Sequence, residues 1–311
     1  MEPTGARQRL LDRLGPLPTS VHPSPPAVDR RFCLDGIVFE RWRIRGPRGD
    51  IPAYFLLAED AQRPAPPLLA IHPHGRQFEL GKSLVAGLAG DDSRGYGRAA
   101  AHEGFGVLIP DLPAFEDRRP PLSERKRNYA LQGEGYERLL AMNALVHGAT
   151  LQGWILADLS ACADVLALDA RVDASRLSAL GQSFGGQEVL FAMLHDARFR
   201  AGVVSCGFSL VKLLCERSIS HNLALYLPGM LPDLDFDTIV PALAPRPLTI
   251  IAGRRDDIFP FEGVAAIAAR ARDAYRTAGA EDAFRLRPFD GYHDLPQAEL
   301  QEALLWLRET V

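Results

Sequence analysis

Ser183, His293 and an acid at Asp256 or Asp257 could together perform acyl transfer, although they stand far apart in this 311-residue chain. A serine hydroxyl is a weak nucleophile at neutral pH and needs a base within hydrogen-bond reach to take its proton. An imidazole titrates near that pH, and a carboxylate behind it fixes its tautomer and stabilises the imidazolium. Ser183 lies in Gly181-Gln182-Ser183-Phe184-Gly185, a Gly-x-Ser-x-Gly pattern. On a sharp strand-to-helix turn that pattern forces the hydroxyl outward, and the glycines are required where the turn packs too tightly for a β-carbon. A helix starting there offers free N–H groups and a positive dipole end to an oxyanion.

The pattern is only a serine-bearing loop unless a strand precedes it and a helix follows. Residues 176–180 read as a short buried strand and residues 186–194 as a helix. Residues 247–253 form an apolar, β-branched strand that runs into Arg254-Arg255-Asp256-Asp257. An acid just past a strand end sits on the face where open α/β sheets build their sites. Residues 284–289 read as a further strand, followed by Asp290-Gly291-Tyr292-His293-Asp294 and a helix over 296–308.

The rest of the chain supplies the frame. Residues 1–30 are a proline-rich extension with a short helix over 7–14, and residues 31–311 read as one domain. Two antiparallel strands, 36–45 and 51–58, precede a strand over 67–73, a helix over 95–103 and a strand over 106–110. Residues 122–170 are helical in two pieces, broken near 148–153; a strand spans 201–205. Val264, Ile267, Ala268, Ala271 and Tyr275 mark another helix by their spacing. Strands alternating with helices predict an α/β fold with a mostly parallel central sheet and helices on both faces. Residues 208–243 are the least sheet-like part of the second half. They read either as a small lid over the pocket or as core-packing helix.

The formal charge of −4 gives no footprint for nucleic acid. The N-terminus lacks the apolar core of a signal peptide, and no run approaches the ~18 apolar residues of a membrane helix. Cys33, Cys162, Cys206 and Cys215 form no Cys-x-x-Cys pair. Three of them read as buried, reduced thiols, which predicts a cytoplasmic protein. His72 and His74 share a face at a strand end, but no Asp, Glu or Cys stands near enough in sequence to complete a metal site. Neither a metal nor a cofactor is expected. Gly75 and Gly81-Lys82-Ser83 are separated by five residues, where a phosphate loop requires four. The charged run from Arg118 to Arg127 is mixed in sign and reads as a solvated loop.

Serine, then acid, then histidine, each after a successive strand, resembles the chain order of the α/β-hydrolase superfamily. Within it the resemblance is to the dienelactone-hydrolase-like and acetyl-xylan-esterase-like branch. It is carried by His72-Pro73-His74-Gly75, residues 78–83, residues 115–119, residues 181–186, Ala244-Pro245-Arg246-Pro247 and Gly291-Tyr292-His293. The resemblance implies a cofactor-independent serine esterase that acts on a small-molecule, short-acyl or acetyl ester through an acyl-enzyme. The Gly-x-x-Asp-x-x-x-Pro spacing of related loops favours Asp256 as the acid, with Asp257 as its competitor. One oxyanion donor is expected from Phe184, and by resemblance the second from Gly75 or Arg76. His74 and Tyr292 are expected to line the substrate pocket. Dienelactone hydrolases proper carry a cysteine at the elbow, where this chain has Ser183, which favours a simple ester over a lactone of that narrow type. A peptidase or amidase on the same triad and a non-catalytic binding protein are the alternatives; the chain is too short for a propeller arrangement.

Overall fold

A computed structural model describes residues 3–311. Nine strands form one sheet in the order β1-β2-β3-β5-β4-β6-β7-β8-β9. They are β1 (Ala27–Leu34), β2 (Ile37–Gly46), β3 (Gly49–Ala58), β4 (Pro67–Ile71), β5 (Gly106–Pro110), β6 (Ser178–Gln182), β7 (Ala201–Ser205), β8 (Leu248–Gly253) and β9 (Phe284–Phe289). β1, β2, β3 and β5 pair antiparallel, and β5-β4-β6-β7-β8-β9 run parallel. The longer helices are α1 (Pro3–Arg13), α2 (Tyr96–His102), α3 (Gly133–Val146), α4 (Leu151–Leu166), α5 (Phe184–His195), α6 (Phe261–Thr277) and α7 (Gln297–Thr310).

The central strands β4 to β8 are buried along their whole length. Helices on both sheet faces explain why they read as continuous apolar runs rather than alternating ones. One core holds Phe191, Phe236 and Ile267 with α4, α5 and α6; the other holds Tyr96, Phe105 and Trp306 with α2 and α7. This is the α/β-hydrolase fold.

β1 was not foreseen. Seven of its eight residues, all but Phe32 of Ala27–Leu34, are exposed, and Asp29, Arg30 and Arg31 break any apolar alternation. A short charged strand at a sheet edge discourages pairing with another chain. The entry segment is docked onto the domain. Ala6, Leu10 and Leu14 of α1 are buried in the main core, and Arg7 donates to the Leu194 carbonyl at the end of α5. The cysteines also differ from expectation. Cys162 and Cys206 are buried, whereas Cys33 on the edge strand and Cys215 at the end of a short helix are exposed. No single helix among the described residues is long and apolar enough to cross a membrane.

An internal ion cluster ties the loop after β4 to the loop after β5. The Lys82 ammonium is 1% exposed and lies 2.8 Å from Asp111, 2.6 Å from Glu116 and 2.6 Å from Asp117. Burial alone would favour the neutral amine, but the facing carboxylates outweigh it and hold Lys82 charged. Glu116 also accepts from the backbone N–H groups of Gly81 and Ser83. The ammonium stands at the point where the three carboxylates converge. Arg118 of the charged run turns inward to Asp158 at 2.6 Å rather than remaining in solvent.

Candidate active site

Ser183 stands between β6 and α5 with φ 58° and ψ −121°. That is a strained conformation for a residue with a side chain, and the surrounding packing holds it there. A β-carbon on Gly181 would sit 2.2 Å from Gly185, and one on Gly185 only 1.8 Å from the Ile71 carbonyl oxygen. The elbow therefore folds only with both glycines. The Ser183 N–H is tied to the Ser205 carbonyl on β7 at 2.8 Å.

Asp256 follows β8 and His293 follows β9. Nδ1 of His293 lies 2.9 Å from Oδ2 of Asp256, whose side chain is 2% exposed. The pairing places the proton on Nδ1 and leaves Nε2 as the acceptor. Burial pushes the Asp256 carboxyl up. Its bonds from His293 and from the N–H groups of Phe259 and Ile258 outweigh that and hold it below the ordinary range. Asp257, the competing acid, is exposed. The histidine loop is pinned from two sides. Asp294 O accepts from Ser205 Oγ at 3.0 Å and from Cys206 Sγ at 3.4 Å. A β-carbon on Gly253 would lie 2.2 Å from Tyr292 O, so the end of β8 must be glycine for the loop to come this close.

Ser183 and His293 both line a cavity of about 580 Å³, together with His74, Gly75, Arg76, Glu137, His221 and Asn222. That volume suits a small organic substrate. His221 lies flat on Phe259 with ring centroids 4.1 Å apart, and its Nε2–H donates to the Ile258 carbonyl. Burial lowers its pKa to about 4, so it is a neutral wall and not a second base at neutral pH. Asn222 and Leu223 belong to residues 208–243, whose Leu225, Leu234 and Phe236 are buried in the main core.

The other anticipated residues fall as follows. The N–H of Phe184 has no acceptor among the described residues, nor do those of His74 and Gly75. The Arg76 N–H donates to Nδ1 of His74 at 3.2 Å, and its guanidinium pairs with Glu134. Tyr292 is 62% exposed under the Arg255 guanidinium and does not line the cavity, which corrects the expectation that it would. Both nitrogens of His72 are engaged, one with the Pro73 carbonyl and one with the Leu112 N–H. His74 is likewise engaged on both sides, by Arg76 N–H and by Glu137, so neither ring has a nitrogen to offer a metal.

Sequence reasoning missed a polar network behind the nucleophile. Asn222 donates to Gln187, Gln187 to Gln152, and Gln152 to Glu188. All four side chains are buried. Burial raises the Glu188 carboxyl to about 8, and the hydrogen bonds from Gln152 and Gln187 offset only part of that. The folded chain therefore keeps this proton up to about 8, whereas an unfolded chain releases it near 4.5. The unfolded state binds fewer protons across that window, so stability falls as pH rises through it. We expect the urea midpoint to drop between about pH 5 and about pH 8, and Glu188→Gln to flatten that slope. Equal slopes in the two proteins would show that Glu188 is ionised in the fold.

Comparison with known proteins agrees with this architecture. The model of the Prolyl oligopeptidase family matches residues 148–287. YtaP of Bacillus subtilis (strain 168), whose name ranks it only as a candidate hydrolase, is 26% identical over 238 residues; the match covers 76% of this chain and 75% of that protein. A candidate acetyl xylan esterase from Bacteroides fragilis NCTC 9343 superposes with a TM-score of 0.76 at 16% identity, covering 99% of this chain and 87% of that one. The glucuronoyl esterase from Solibacter usitatus gives 0.66 at 15% identity, over 98% and 91%. A protein from Klebsiella pneumoniae subsp. pneumoniae MGH 78578, whose title ranks it as a candidate dienelactone hydrolase, gives 0.59 at 20% identity, over 88% and 100%. With its strand order and its strained serine elbow, the chain has the α/β-hydrolase fold, and the structures it is similar to include a candidate acetyl xylan esterase and a candidate dienelactone hydrolase.

Proposed function

We propose that the protein is a serine esterase acting on short-acyl or acetyl esters through a Ser183–His293–Asp256 triad. The observation that carries this reading is the 2.9 Å contact of His293 Nδ1 with buried Asp256, in a cavity shared with a strained Ser183. Nε2 of His293 takes the Ser183 proton as Oγ attacks the ester carbonyl. The oxyanion is met by the Phe184 N–H and by an N–H of the His74–Gly75 turn, since both lack an acceptor among the described residues. The imidazolium returns its proton to the leaving alcohol. Water then repeats the sequence and releases the acid. Asp256 holds the tautomer throughout. We read the setting as cytoplasmic from the scattered spacing of the four cysteines.

A second reading, a peptidase or amidase on the same residues, is favoured by the family match over 148–287. That segment contains Ser183 and Asp256 and stops short of His293. A panel of nitrophenyl esters of graded acyl length against aminoacyl-nitroanilides separates the two. We expect turnover of acetyl to butyryl esters and none of the anilides. Anilide turnover exceeding ester turnover would overturn the esterase reading.

A further inference from the structure

Glu137 is a carboxylate on the buried side of α3, 5% exposed, in a site whose chemistry does not call for a second acid. Its Oε2 lies 3.1 Å from Nε2 of His74, and its Oε1 accepts from the Leu223 N–H at 3.4 Å. The Arg76 N–H donates to Nδ1 of His74 at 3.2 Å, so Nδ1 is a lone pair. A neutral His74 then carries its proton on Nε2 and donates it to Glu137. Gly75 takes its positive φ of 52° freely, but Arg76 sits at 54°, a conformation a residue with a side chain adopts only with support. The His74 ring is further held edge-on to Phe78, Phe115 and Phe184, with centroids 5.0, 5.1 and 5.7 Å away. Phe184 is the residue after Ser183.

We propose that Glu137 is a positioning residue: by fixing the His74 tautomer it holds the His74–Arg76 turn where that turn can supply an oxyanion donor. The inference rests on the esterase reading above. Glu137 acts through His74 and takes no proton in the reaction. Its second bond, to Leu223, ties the same carboxylate to the cavity wall, so one buried acid sets the spacing between turn and wall. The two opposite faces of the His74 ring system thus serve different ends: one nitrogen is instructed by Glu137 and the other instructs the backbone.

Two measurements on the full chain test this. The first is the ¹⁵N spectrum of the His74 imidazole, assigned with a His74→Asn control, which reports which nitrogen is protonated without any turnover. We expect the proton on Nε2 in the wild type and a mixed tautomer in Glu137→Leu. The second is steady-state kinetics with a nitrophenyl acetate substrate. Glu137→Leu is expected to lower kcat by about 100-fold, the scale of losing one oxyanion donor, with a smaller change in KM. Glu137→Gln restores one of the two acceptor bonds and should recover part of kcat. A wild-type His74 protonated on Nδ1 overturns the proposal, as does a Glu137→Leu enzyme within about twofold of wild-type kcat. If Glu137→Leu does not fold, the wild-type tautomer still decides. An inactive wild type would sink the esterase reading instead, while the spectrum would still decide the His74 tautomer.

Discussion

Ser183→Ala is expected to lose ester turnover by a factor on the order of 10⁴ to 10⁶ in kcat, with KM changed little. The alanine removes the only atom that forms the covalent bond. It leaves the cavity and the unpartnered N–H groups at Phe184, His74 and Gly75 in place. Substrate should therefore still bind. The size of the loss follows from losing acyl-enzyme formation altogether, since water must then attack without a general base aligned on it. The measurement is kcat and KM on nitrophenyl acetate beside a thermal melt. The positive φ of 58° at position 183 disfavours any side chain, so alanine should fold at least as well as serine. A variant that keeps more than about a tenth of wild-type kcat would move the nucleophile elsewhere.

The second large effect separates two neighbouring acids. Asp256→Asn is expected to cost on the order of 10⁴ in kcat. Asn offers an amide where His293 now finds a carboxylate at 2.9 Å. Turned to accept from Nδ1–H, the amide cannot stabilise the imidazolium; turned to donate, it forces the wrong tautomer. It also disturbs the bonds from the N–H groups of Ile258 and Phe259, so some loss of stability should accompany the kinetic one. Asp257→Asn changes an exposed side chain, and kcat should stay within about twofold of wild type. The reverse pattern, with Asp257→Asn crippled and Asp256→Asn active, would assign the acid to the other residue.

Much of the frame was legible because its elements are bounded by strong signals. β5 (Gly106–Pro110), β7 (Ala201–Ser205) and β9 (Phe284–Phe289) are strands closed by glycine, proline or loop residues, and their bounds follow from sequence. The elbow was legible because strand, serine and helix are contiguous. β1 was not, because a solvent-facing edge strand needs no apolar alternation. The choice between Asp256 and Asp257 could not come from periodicity, since either residue follows the end of β8; the turn's backbone buries one and exposes the other. Tyr292 was misplaced because adjacency to His293 says nothing about which way a loop side chain turns. The links among His74, Glu137, Asn222 and Gln187 arise only when distant segments converge; His74 and Glu137 are 63 residues apart. One signal for Glu137 was present. The buried stripe of α3 runs Glu137, Ala141, Ala144, and an acid on a stripe otherwise filled by alanine needs a partner inside.

The central claim is that Ser183 is made nucleophilic by His293 and Asp256. Its most direct test is covalent labelling of the intact protein with a fluorophosphonate, read by peptide mass spectrometry. We expect a single adduct on Ser183, formed quickly in the wild type and at least about 100-fold more slowly in Asp256→Asn. An unlabelled Ser183, or labelling equally fast in the two proteins, would contradict it.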